Sequence, residues 1–160
     1  MKSSHRRAHV LTAAAFSILS GALTGYAAFA QQHGIGSPLD DNNHNGFVNF
    51  LEYAFAGNPN GATPDEFGPE ADTIEDGGQR KACITFRMLD GPTDAEYIVE
   101  ASDSVAPGAT WTQVWSSTQG LDHPAVVSVI DNGAWLRVCV KDIQPLTGQP
   151  RFLHVRVRVR

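Results

Sequence analysis

From Cys83 onward the apolar side chains recur at every second position, and this period limits what the chain can fold into. Ile84, Phe86 and Met88 alternate with Thr85 and Arg87, and Tyr97 and Val99 with Ile98 and Glu100. Val127 and Val129 lead through Asp131-Asn132-Gly133 to Leu136, Val138 and Val140, and Leu153, Val155, Val157 and Val159 close the chain. A side-chain period of two belongs to strands with one buried face, because successive Cβ atoms point to opposite sides of a sheet. Turn residues separate the runs, so the pattern predicts an all-β, antiparallel β-sandwich of about seven strands. Asn132-Gly133 suits a two-residue I′ turn. In that register Val129 faces Leu136 and Val127 faces Val138 on one side of the sheet, with Ile130, Trp135, Arg137 and Cys139 on the other.

The front of the chain has a different character. Residues 31–79 hold nine acidic residues and no Lys or Arg, whereas residues 80–160 hold eight acidic and nine basic. Within that acidic front stands DNNHNGFVNFLE, Asp41 to Glu52, which satisfies the spacing D-x-[DN]-x-[DN]-G-x5-E. A calcium loop of this kind takes oxygens from positions 1, 3, 5, 7, 9 and 12 and turns sharply at a glycine in position 6. Here those positions are Asp41, Asn43, Asn45, the Phe47 carbonyl, Asn49 and Glu52, with Gly46 at the turn. His44 falls at a non-ligand position, as suits a hard cation that prefers oxygen. Phe50 with Ala54 and Leu51 with Phe55 then fall at helical spacing, and Gly57, Asn58 and Pro59 stop the helix. Glu52 would project from its first turn back into the loop. The residues before the loop, QQHGIGSPLD, contain two glycines and a proline and cannot form an entering helix. Only Asp41 and Glu52 are formally charged, which places the expected affinity near 10⁻⁴ to 10⁻³ M, roughly that of extracellular modules.

The first thirty residues read as a secretory signal: Lys2, Arg6 and Arg7, an apolar run from Val10, and a small-x-small site at Ala28-Phe29-Ala30. Retention of Val10–Ala30 as a membrane anchor is the alternative, and Gly21, Thr24 and Gly25 weaken it. The expected organisation is a signal peptide over 1–30, the calcium loop and short helix over 31–60, a linker or edge hairpin over 61–79, and the sandwich over 80–160. Lys2, Arg6 and Arg7 are the only charged residues of the first thirty, so residues 31–160 carry nine basic against seventeen acidic residues, a net charge of −8. Such a balance argues against nucleic acid as a partner, since phosphate binding needs a basic footprint.

No other constellation points to chemistry. His33, His44, His123 and His154 are scattered without a zinc-ligand spacing, and no nucleophile elbow is present. Cys83 and Cys139 share the parity of Thr85, Arg87, Arg137 and Lys141, and in a secreted chain two cysteines can pair as a disulfide or stand as separate small residues. Trp111, Trp115 and Trp135 with Tyr97 could form a sugar-stacking platform, but Trp111 and Trp115, four residues apart, share one strand parity as core residues would. Arg156, Arg158 and Arg160 share one face of the last strand, read as a solvated surface or guarded edge in preference to a cationic stripe for an acidic polymer.

The calcium loop without an entering helix resembles the loops of dockerin modules and thrombospondin type 3 repeats. Running into NFLEYAFAGNP, with a strand YIVEASDSV followed by a tryptophan and a last strand RFLHVRVRV, it resembles an accessory module of bacterial secreted proteins. The resemblance extends over residues 38–160; Asn43 and Asn45 stand where that pattern usually has acidic residues. It implies a non-catalytic module with the calcium loop packed against the sandwich. The expected function is therefore a secreted or periplasmic, cell-surface structural or adhesive module that binds Ca²⁺, its partner an extracellular protein or cell-envelope component. A carbohydrate-binding module is the alternative, with polysaccharide as partner.

Overall fold

Alternation of Val, Ile, Phe and Tyr with polar residues produces seven strands in a computed structural model that describes residues 24–61, 67–91 and 93–160. They are β1 (Glu70–Asp76), β2 (Gln79–Leu89), β3 (Ala95–Ser102), β4 (Thr112–Ser116), β5 (Val126–Asp131), β6 (Trp135–Pro145) and β7 (Phe152–Val159). All pairings are antiparallel: one sheet has the order β1-β2-β6-β5 and the other β4-β3-β7. Two helices precede them, α1 (Thr24–His33) and α2 (Asn49–Ala54). Of the segment read as a signal, residues 1–23 lie outside the described residues; α1 runs across the Ala30–Gln31 bond. Among the described residues no helix is long and apolar enough to cross a membrane.

Ile84, Phe86, Val138 and Val140 from the first sheet meet Tyr97, Val99, Trp115, Val155 and Val157 from the second, all of them buried. Each such side chain contributes roughly 1.5–3 kcal/mol by leaving water, and β-branched residues suit the pleated surface between two sheets. The acidic front supplies β1, an edge strand joined to β2 through Gly77-Gly78, both with positive φ.

Two expectations are corrected by local irregularities. The β5–β6 hairpin turns at Gly133-Ala134: Asn132 N–H donates to the Trp135 carbonyl at 3.0 Å, and Gly133 has φ +87°. A glycine at the first central position is what a II′ turn requires. Asp131 accepts the Gly133 N–H at 2.7 Å and so holds Asn132 at the strand end. Val129 therefore faces Val138, two residues from the expected Leu136, and a bulge between Val126 and Ser128 brings Val126 opposite Val140 and leaves Val127 exposed. A second bulge, opposite Val99 and Glu100, inserts an extra residue into β4. It reverses the parity between Trp111 and Trp115. Trp115 is fully buried in the core, whereas Trp111 stacks on His154 with ring centroids 4.0 Å apart.

The arginines of β7 are neutralised by its neighbour. Arg158 bridges to Glu96 at 2.7 Å and Arg156 to Glu100 at 2.9 Å, so the expected basic face is a ladder of ion pairs along β3 and β7.

Candidate metal centre

The loop owes its shape to a clasp at its base. Asn49 N–H donates to the Asp40 carbonyl at 2.7 Å, and the Asn49 amide donates to Asn42 Oδ1 and to the Ser37 carbonyl, each at 2.9 Å. Inside the clasp the chain turns through His44 at φ +58° and Gly46 at φ +90°. Gly46 has open space about it and a backbone conformation that a Cβ would strain, which is why glycine belongs there. Asp41 gathers the turn by accepting from Asn45 N–H at 3.1 Å and Gly46 N–H at 2.9 Å.

Three of the expected side chains converge. Glu52, in the first turn of α2, is wholly buried, and its Oε1 accepts from Asn43 Nδ2 at 2.8 Å and from Asn45 Nδ2 at 2.9 Å. Its second oxygen, Oε2, is buried with no hydrogen-bond partner among the described residues. Burial pushes the Glu52 carboxyl up, against the two amide hydrogen bonds that pull it down, and the nearby Asp41 carboxylate adds to the rise. Asp41 frames the turn beside this group. Asn49 does not join it, because both ends of its amide are used in the clasp. Phe47 donates its N–H to Asn45 Oδ1 at 2.8 Å and packs its ring edge-on against Phe67 at 5.2 Å. His44 is exposed.

Sequence reasoning missed the turn after the helix. The carbonyls of Gly61, at 2.5 Å, and Asn58, at 3.4 Å, both meet Asn43 Nδ2, so this nitrogen sits among three oxygens. The Asn-Pro-Asn-Gly string at 58–61 was the signal for a turn, but nothing in it announces carbonyls aimed back at the loop.

No family model, curated protein or solved structure matches the chain. The site must therefore be read from its own chemistry. An unpartnered, fully buried carboxylate oxygen is costly unless something compensates it, and no Lys or Arg lies between residues 31 and 79 to do so. Among the described residues no group of three or more His, Cys, Asp or Glu is placed to hold a metal. The donors here are two carboxylates, Asn amides and backbone carbonyls, an all-oxygen set suited to a hard cation. An Asn amide presents nitrogen or oxygen to the same place by a half-turn. Asn43 and Asn45 can thus give Glu52 hydrogen bonds or give a cation oxygens.

The helix carrying Glu52 is anchored firmly. Phe50, Leu51, Tyr53, Ala54 and Phe55 are all buried, and Tyr26 of α1 packs on Phe50 and Tyr53 with centroids 6.0 and 5.9 Å apart. Tyr97 of β3 donates its hydroxyl to the Ala54 carbonyl and accepts the Leu89 N–H at 3.0 Å. The aromatic residues considered for sugar stacking are dispersed: Trp115 and Tyr97 lie in the core, Trp111 lies on His154, and Arg87 lies over Trp135 at 4.5 Å.

Proposed function

We propose that the chain is an extracellular, non-catalytic β-sandwich module braced by Ca²⁺ at its N-terminal loop, acting as a structural or adhesive element toward another extracellular protein or the cell envelope. The observation that carries this reading is the buried Glu52 oxygen without a partner among the described residues, on a carboxylate whose other oxygen is held by Asn43 and Asn45 of a loop that turns on Gly46. Asp41, Asn43, Asn45 and Glu52 would hold the ion, and it would supply the positive charge that the carboxylate lacks. Asn49 would act as the clasp. The loop runs directly into α2, whereas α1 ends at His33 and an irregular segment, 34–40, separates it from the loop, so a static role suits the loop better than signalling.

Calorimetric titration of calcium into the chelator-treated chain, with melting curves in both states, tests the reading. One site and a raised melting temperature are expected for the wild type. Glu52→Gln should lose the calcium-dependent rise and melt below the calcium-loaded wild type. In chelator it should melt at or above the wild type, since an amide removes the uncompensated buried charge. An equal calcium-dependent rise in both proteins, or no heat and no shift in the wild type, would defeat the proposal.

A further inference from the structure

Two thiols lie outside the loop, and the register of the first sheet brings them together. β2 and β6 pair with Cys83 opposite Lys141 and Thr85 opposite Cys139. Cys83 and Cys139 are therefore diagonal neighbours on one face of the sheet. Both are free, and Thr85 stands directly across the ladder from Cys139 on the same face. Access is unequal: Cys83 is 5% exposed, while Cys139 is only half-buried. The charged and polar groups around them are Glu70 and Asp72 from β1, Arg87 from β2, Ser128 from β5, and Arg137 and Lys141 from β6.

We propose that Cys83 and Cys139 form a thiol–disulfide exchange site, with Cys139 the attacking sulfur, Cys83 the resolving sulfur, and a small disulfide as substrate. Cys139 is the sulfur a ligand can reach, with Thr85 directly opposite it and Cys83 on the diagonal. Cys83, walled in, is reached by the sulfur of Cys139. The electrostatics agree. The neighbouring Cys83 thiol holds the Cys139 thiol below its ordinary value; burial and Asp72 oppose this, and Thr85 and Arg137 reinforce it. The nearness of Cys139, with burial, pushes Cys83 up.

The steps balance with oxidised glutathione as the probe. The Cys139 thiolate attacks one glutathione sulfur, the S–S bond breaks, and one glutathione thiolate leaves and takes a proton from water. Cys83 then gives its proton to water and attacks the Cys139 sulfur of the mixed disulfide, expelling the second glutathione. The protein loses two electrons and two protons, and the small disulfide gains them as two thiols. Diagonal neighbours stand farther apart than opposed residues. A bridge between them draws on strand distortion, and strained disulfides are the readily reduced ones. The site therefore cycles, in contrast to a permanent staple.

The reduced full-length chain is incubated with oxidised glutathione under native conditions and followed by mass spectrometry. Wild type should reach the internal disulfide without accumulating the mixed one, and reduced glutathione should reopen it. Cys83→Ser should stop at a single adduct on Cys139, whereas Cys139→Ser should react at least about tenfold more slowly, because its remaining thiol is walled in. Thr85→Val keeps both thiols and suits a strand; its pH–rate profile should move to higher pH. Several results would overturn the proposal: an adduct on Cys83, a persistent mixed disulfide in wild type, a bridge that resists reduced glutathione, or an unmoved Thr85→Val profile. Reaction only after unfolding in urea would do the same.

Discussion

The hydroxyl of Tyr97 joins the helix of the loop to the sandwich, and its removal can be costed. Tyr97→Phe keeps the ring between Phe86, 6.1 Å away, and Phe55, 6.3 Å away, so the apolar burial is nearly unchanged. What is lost is the donor to the Ala54 carbonyl and the acceptor of the Leu89 N–H. Each buried backbone group left without a partner costs about 1–3 kcal/mol. Leu89 is half-buried, so water partly rescues its amide, and a total near 2–4 kcal/mol is expected. Urea unfolding followed by tryptophan fluorescence should show the midpoint falling with an unchanged slope, since the surface exposed on unfolding is the same. Amide exchange at Leu89 should accelerate in parallel. A variant within about 0.5 kcal/mol of wild type, the range of an ordinary surface substitution, would refute the view that this hydroxyl fastens the helix to the sheets.

The ladder on the second sheet should make the fold acid-sensitive. Burial alone would raise the carboxyls of Glu96 and Glu100, but Arg158 and Ser116 on the first, and Arg156 and His154 on the second, outweigh it and hold both below the ordinary range. Depressed folded values contribute stability that is complete above the unfolded glutamate value, about 4.3, and is lost as pH falls through the folded values. The urea midpoint should therefore drop between about pH 5 and pH 3, and an equally steep drop in the Glu96→Gln, Glu100→Gln double variant would count against this assignment. Asp142 is fully buried and is held by Arg151 at 2.5 Å. Arg151→Ala should cost about 3–5 kcal/mol by stranding that charge, and adding Asp142→Asn should recover part of the loss; strictly additive losses by chemical denaturation would contradict the pairing.

The strands were legible because their cause is local: one buried face imposes period two, and Ile84, Phe86, Val138, Val140, Val155 and Val157 declare it. Bulges are not written in any period. The extra residues in β4 and β5 arise from fitting twisted strands to their neighbours, and each reverses which side chains share a face, as Trp111 and Val127 record. Glycine at position 46 was legible because only a positive φ closes that turn. Asn49 was not, because its place in a spacing pattern says nothing of Asp40, Asn42 and Ser37, whose groups occupy its backbone and amide. The packing of Tyr26 against Phe50 was not legible either, because it depends on contacts no local pattern contains.

The last strand alternates valine and arginine so regularly that a slide of two residues would set the same kinds of side chain on the same faces. Its inner half therefore carries almost no information about alignment. That information sits just ahead of the strand, where Arg151 reaches Asp142 on one side and Asp103 on the other. This residue works as an index mark: it counts the repeat from a fixed origin, so that Arg156 and Arg158 arrive at Glu100 and Glu96 in one phase out of several that the valines would accept equally.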